Sequence, residues 1–241
     1  VDEDGKITIN GKEIKKIMID GKEFFADDPN IAMKNLPVNI IDKVRAYDKQ
    51  SDLARVTGID DGEEETVLDL SVKPGMNKGW FGNADVAAGT EDRYSGKGML
   101  NRFIGENQFT VIGSMNNVND NGYPGGGGGF RWGGQNGLTS IKMGGFNFST
   151  QSEKLETGGS VNYNYKDADI ISKQASETFV SSATSSFKNA QNANRNKTTS
   201  LTADFRIEWK PDTMTTVIFR PRLTYGKNDN RSCLLYTSPS P

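Results

Sequence analysis

Histidine is absent from the 241 residues of this chain. With it go the usual general base, the commonest zinc ligand and every Ser-His or Cys-His nucleophile pair. Cysteine occurs once, at Cys233, so neither an internal disulfide nor a thiolate metal site can form. Apolar residues are scarce at 34%. No run approaches the roughly 18 consecutive apolar residues of a transmembrane helix, and that element is excluded. Excess charge is also lacking. Lys plus Arg number 29 against 31 for Asp plus Glu, so no basic field points to nucleic acid. Carboxylates are plentiful, but no constellation singles out a catalytic pair. An enzyme working with carboxylates alone remains open, but the ordinary toolkit is missing, and the expectation is a non-enzyme with no cofactor and no metal site. A transmembrane β-barrel survives these exclusions, because alternating lipid-facing and water-facing residues average to a polar composition.

Both ends read as cut. The chain opens at Val1 with no initiator Met and no signal peptide, already near a strand-forming segment. Cys233-Leu234-Leu235-Tyr236-Thr237-Ser238-Pro239-Ser240-Pro241 departs from the pattern before it. It reads as a translated transposon-type sequencing adapter, so residues 232–241 are expected to be a non-native tail.

What is present divides near Gly75. Residues 1–74 are dense in charge and mixed in character. Ile7 to Lys12 reads as a strand entering an Asn-Gly turn, and Ile14, Ile17 and Ile19 lead to a second turn at Asp20-Gly21, then a short strand Lys22 to Phe25. Asp27 or Asp28 can cap a short helix with Pro29 at its first position, running through Met33. Pro37 can open one further turn before a strand at Lys43 to Tyr47. Ser51 to Glu65 is expected to be a mobile loop, and Thr66 to Val72 a strand.

Beyond Gly75 period-two segments take over. On one face Leu201, Ala203, Phe205, Ile207 and Trp209 oppose Thr202, Asp204, Arg206, Glu208 and Lys210. After Pro211-Asp212, read as a tight turn, Val217, Phe219, Pro221, Leu223 and Tyr225 continue the pattern in a strand from Thr213. Such segments match the roughly 9–11 residues that cross a bilayer at barrel tilt. Weaker versions lie at Trp80 to Gly89, Tyr94 to Phe103, Gln108 to Val118, Leu138 to Ser149 and Leu155 to Lys166. A soluble β-sandwich also alternates. The connections favour a barrel: short at Ile104 to Asn107 and Gln151 to Lys154, long and polar at Asn119 to Gly137 and Ser172 to Lys197.

The order of several motifs resembles one family. Asn10-Gly11-Lys12, Ile19-Asp20-Gly21-Lys22-Glu23-Phe24-Phe25 and Asp27-Asp28-Pro29 come first. Lys34-Asn35-Leu36-Pro37, Val44-Arg45-Ala46-Tyr47-Asp48-Lys49, Thr57-Gly58-Ile59-Asp60-Asp61-Gly62 and Lys78-Gly79-Trp80-Phe81-Gly82 follow. This succession resembles the Bacteroidetes-type TonB-dependent outer-membrane receptors, through to the neighbourhood of Arg231. The resemblance implies a plug within a barrel of about 22 strands, the plugged-lumen class. It implies an outer-membrane location, contact with outer-membrane lipid, a TonB-type energy-transducing partner and a surface lipoprotein as a further candidate partner. The expected architecture is mostly β: a small α/β plug domain over 1–74, then the first seven or so antiparallel strands of an incomplete transmembrane β-barrel over 75–231. The signal, the TonB-contacting segment and the later strands are not in the sequence, and an arc that cannot close is expected to transport nothing.

The most conspicuous local feature is the run Pro124 to Gly129 followed by Phe130-Arg131-Trp132. No helix signal or Gly-Lys-Ser/Thr follows it, which argues against a phosphate cradle. As an outward loop it offers Tyr123, Phe130, Arg131 and Trp132 as ligand contacts. Asp2-Glu3-Asp4-Gly5 and Asn119-Asp120-Asn121-Gly122 lack the spaced ligand series of a calcium loop and read as turns. Arg206, Glu208, Lys210, Arg220 and Arg222 fall on the lumen side, where they are expected to pair with one another or with the plug. Energised uptake of a ligand is the leading functional expectation. Adhesion or surface display by an outer-membrane barrel is one alternative, and a soluble extracellular β-protein binding sugar or calcium is another.

Overall fold

The computed structural model describes residues 7–9, 11–25, 36, 38–119, 137–181 and 184–237. Strands dominate, and they fall into a small N-terminal group and one large antiparallel sheet. In the N-terminal group, β1 (Thr8–Ile9) and β2 (Lys12–Glu13) form a hairpin around Gly11. Strand β3 (Lys16–Ile19) turns into β4 (Lys22–Glu23) through Asp20-Gly21, whose φ values of 50° and 77° suit the right-handed twist of a two-residue hairpin. A 3-10 turn at Val38–Ile40 leads into β5 (Ile41–Gln50), followed by α1 (Asp52–Thr57) and β6 (Glu64–Val72). The sheet order is β4-β3-β6-β5, with β3 parallel to β6 and the other pairs antiparallel. The helix expected at 27–33 lies outside the described residues.

One expectation in this region is overturned. Ser51 to Glu65 is not simply a loop, because its first part folds as α1. The Ser51 hydroxyl accepts from the Ala54 N–H at 3.0 Å, and Gly58 closes the helix in the left-handed region at φ 69°. Ala54 is buried beneath it.

The large sheet comprises β7 (Lys78–Ala88), β8 (Tyr94–Ile104), β9 (Asn107–Asn116), β10 (Leu138–Gln151), β11 (Leu155–Ser181), β12 (Thr184–Trp209), β13 (Val217–Phe219) and β14 (Arg222–Thr237). Each pairs with its neighbour in sequence, and β13 and β14 share one lane beside β12. Across that lane the register is unbroken, Ile207 facing Phe219 and Asp204 facing Arg222. Pro221 interrupts the ladder because it has no N–H to give, although its carbonyl still accepts from the Phe205 N–H at 3.0 Å. This lane starts at Val217 instead of Thr213. The preceding turn is longer than Pro211-Asp212, since the Asp212 carboxylate accepts from the Met214 and Thr215 N–H groups.

Ser172 to Lys197 is not a loop either. Strands β11 and β12 run on as a hairpin with one irregularity, between Phe179 and Ser181. Strand β14 also continues through Cys233 to Thr237, where Ala193 faces Cys233 and Asn189 faces Thr237. Ladder pairing uses backbone groups only, so it is indifferent to the unrelated character of these side chains. The sheet is open: β7 and the β13/β14 lane are its edges, and no closed barrel forms among the described residues.

Candidate functional site

Two neighbouring rows of side chains define the faces of the large sheet. One row runs Phe81, Asn101, Thr110, Asn147, Ser160, Asp204, Arg222 across successive strands. Next to it runs Gly82, Leu100, Val111, Phe146, Val161, Ala203, Leu223. The polar members Asn101, Thr110, Asn147 and Ser160 are buried, whereas Leu100, Val111, Phe146 and Leu223 are exposed. Thr110 is 0% exposed and its neighbour Val111 is 52% exposed. Across these two rows the usual order of a water-soluble sheet, which hides its apolar face, is inverted, although the buried face also holds Met99, Phe103, Ile112, Ile141 and Met143. The same exposed face carries Trp80, Trp209, Val217, Phe219 and Tyr225.

The buried face is covered by the small sheet. Ile17, Ile19, Phe24 and Leu70 join Met99, Phe103, Ile112 and Met143 in one apolar cluster. Polar groups on the wall satisfy backbone groups of the small unit. Asn147 Oδ1 accepts from the Phe25 N–H at 3.1 Å, and Gln108 Nε2 donates to the Ile19 carbonyl at 3.4 Å. Thr110 Oγ1 donates to Asn101 Oδ1 at 2.6 Å within the wall itself. The buried Lys22 ammonium reaches Glu106 in the β8–β9 turn at 2.6 Å.

Toward β11–β13 the contact becomes ionic. The cap at Ser51 starts α1 so that Asp52 and Arg55, three apart, share a side of the helix. Arg55 donates to both Glu208 oxygens, at 3.0 and 2.7 Å. Glu208 also meets Arg206, and Lys210 at 2.8 Å. Arg206 donates to Glu156 at 2.7 Å and lies 3.4 Å from Asp52. Arg220 spans Asp52 at 2.7 Å and Glu23 at 3.2 Å. Arg222 lies 3.5 Å from Asp204. The five charged residues assigned to the lumen side thus pair among themselves, with Glu156 and Asp204 of the wall, and with Glu23, Asp52 and Arg55 of the small unit.

Electrostatics follow this geometry. Burial pushes the Asp52 carboxyl upward, but the Arg220 and Arg206 guanidiniums outweigh it and hold the group below the ordinary aspartate range. Burial lowers the Lys49 ammonium, with Glu23 opposing the shift and Arg206 adding to it. The arrangement holds two sheets together. It contains no nucleophile beside a base, and each carboxylate at its centre is already committed to a cation.

No family model, curated protein or solved structure matches the chain. Tyr123, Phe130, Arg131 and Trp132, the ligand contacts expected from sequence, lie outside the described residues. Among the described residues, no group of three or more His, Cys, Asp or Glu side chains is placed to hold a metal ion. Sequence reading missed Asp52 and Arg55. The signal for them was Ser51 and Gly58 as caps with six residues between them, Asp52 to Thr57, in a charged stretch too short to show helical periodicity.

Proposed function

We propose that this chain is part of a TonB-dependent outer-membrane receptor, with the large sheet as barrel wall and the small mixed sheet as plug. What carries the reading is the inverted alternation of the wall. Buried Asn101, Thr110, Asn147 and Ser160 face the small unit, while Leu100, Val111, Phe146 and Leu223 face outward uncovered. A soluble sandwich needs a second sheet over those apolar rows. Here the small sheet covers the opposite face, and lipid is the solvent that suits the outer one. The ordered motifs from Asn10 to Gly82 support the same family.

In this reading the free edges at β7 and β13/β14 are completed by further strands, since lipid cannot satisfy an open ladder. Ligand binds from outside, a TonB-type protein pulls on the plug from the periplasm, and the plug rearranges to open a path. The process is binding coupled to gated motion, without covalent chemistry. Adhesion and surface display share the wall but need no movement of the plug.

Tryptophan quenching tests the membrane part. In a Trp132→Phe chain reconstituted into vesicles of brominated phospholipid, Trp80 and Trp209 are expected to be strongly quenched. A monodisperse, detergent-free protein whose tryptophans ignore the bromines would falsify the membrane assignment. Energised uptake is tested by accumulation of labelled siderophore, vitamin, oligosaccharide and peptide candidates in cells carrying the full gene. Accumulation that persists when the proton-motive force is collapsed rules out a TonB-type mechanism.

A further inference from the structure

The joint between the small unit and the wall differs in kind from one side to the other. Against β8 and β9 it is dry, with Ile17, Ile19 and Phe24 clustered on Met99, Phe103 and Ile112. Against β10, β11 and β12 it is polar and incompletely filled. A cavity of about 20 Å³ lies there between Glu23 of the small unit and the wall residues Asn147, Ser149, Ser160, Asp204 and Arg206. Gly158, in register between Ser149 and Arg206, contributes no side chain to that space.

Two buried donors on the lining residues have no protein partner, Asn147 Nδ2 and Arg206 Nε. Their residues are only 2% and 7% exposed. A single water needs about 10–15 Å³ and two or more polar partners, and the cavity supplies both. Water can accept from the amide and the guanidinium while donating to the Glu23, Glu156 or Asp204 carboxylate. An anion would meet those three carboxylates, and a metal cation would meet the two N–H groups. Glu23 is itself approached by Arg220 at 3.2 Å, Lys16 at 3.8 Å and Lys49 at 3.9 Å.

The two sides respond differently to separation. Uncovering the apolar cluster costs about 25 cal/mol per Å², and incoming water returns none of it. Ions and amides regain hydration as they part, which offsets much of the lost attraction. A bridging water is the first replacement contact already in place.

We infer that the small unit parts from the wall along β10, β11 and β12, turning on its apolar contact with β8 and β9, and that the cavity beside Glu23 is where the opening starts. For its consequence the inference rests on the receptor reading above. The path cleared for cargo then runs beside Asn147, Ser160 and Arg206, which suits a polar, hydrated solute.

Thiol labelling of the full chain in neutral detergent tests this, in a Cys233→Ser background that removes the native cysteine. Ser160→Cys places a thiol at the polar side and Met99→Cys one at the dry side, both at positions 3% exposed. Each labelling rate is divided by that of the same variant unfolded in urea. The thiol at 160 is expected to react at least about tenfold faster than the one at 99, because it needs only local opening. Raising NaCl from about 0.1 to 1 M shortens the screening length from about 10 to 3 Å, and should widen the gap about threefold. Ser149→Cys and Ile112→Cys repeat the comparison with a second thiol on each side. Equal rates on the two sides, a faster dry side, or a contrast indifferent to salt each overturn the proposal. Failure of the membrane reading is seen separately, as tryptophans that brominated lipid leaves unquenched.

Discussion

The Arg55 guanidinium grips both oxygens of Glu208 across 153 residues of sequence, and the Glu208 side chain is 1% exposed. A short helix of the small unit is thereby tied to the base of a long strand of the wall. Bidentate geometry gives this pair direction as well as charge. Removing Arg55 does not orphan Glu208 completely, since Arg206 and Lys210 remain beside it. Arg55→Ala is therefore expected to cost about 2 kcal/mol, less than the 3–5 kcal/mol or so of a fully stranded buried charge. A urea double-mutant cycle with Glu208→Gln should give a coupling of about 1 kcal/mol or more. Strict additivity would mean that the contact does not hold the two sheets.

Gly159 lies between Phe148 and Phe205, whose ring centroids are 6.2 Å apart. A methyl group there would meet Phe205 Cδ1 at 2.4 Å and the Asp204 carbonyl oxygen at 2.7 Å. Gly159→Ala should lower stability by about 1–3 kcal/mol through overpacking. Gly144→Ala has open space before it and should be nearly neutral. Thermal midpoints of the two variants check the contrast, and equal midpoints would contradict the packing described.

Val111 and Thr110 are adjacent yet face opposite environments. With lipid outside, Val111→Arg should cost about 2–4 kcal/mol and reduce insertion into vesicles. In water the same change would be almost silent. Insertion yield in vesicles, read by protease protection, separates the two outcomes.

The Asp52 carboxyl is held below its ordinary range by Arg220 and Arg206. Its folded pKa is thus lower than its unfolded one, and its stabilising contribution is fully present above about pH 4. The contribution drains away as pH falls through the folded value. Asp52→Asn should flatten this part of the acid-unfolding curve without altering stability differences between pH 6 and 8. An unchanged acid limb in the variant would show that the carboxylate is not engaged.

Much of the large sheet was legible because alternation of apolar and polar residues is written directly into segments such as Phe205, Ile207 and Trp209. The turn at Gly105 could be placed for the same reason, lying between two clear period-two segments. The outer half of the β11–β12 hairpin was hidden. There Ser172, Lys173, Gln174, Asn192 and Asn194 are polar on both faces, so no periodicity distinguishes a strand from a loop. Pro221 concealed a different matter: alternation continued through it, while the hydrogen-bond ladder did not. The ionic seam was half visible. Arg206, Glu208 and Arg220 announced themselves by falling on the polar face, but their partners Asp52 and Arg55 sat in a charged segment that reads as a loop. Residues so distant in sequence are brought together by topology, which no local pattern encodes.

The strictly sequential strand order of the wall has a consequence for how the molecule assembles. From β7 to β14 every lane adds to its predecessor through a neighbouring segment, so each addition closes only a modest loop of chain. The small unit works the other way, since joining β3 to β6 and Arg55 to Glu208 closes large loops. Low contact order favours early zippering of the hairpins, and the high-order contacts come late. The seam is then expected to close last, after the hairpins of the large sheet have zipped.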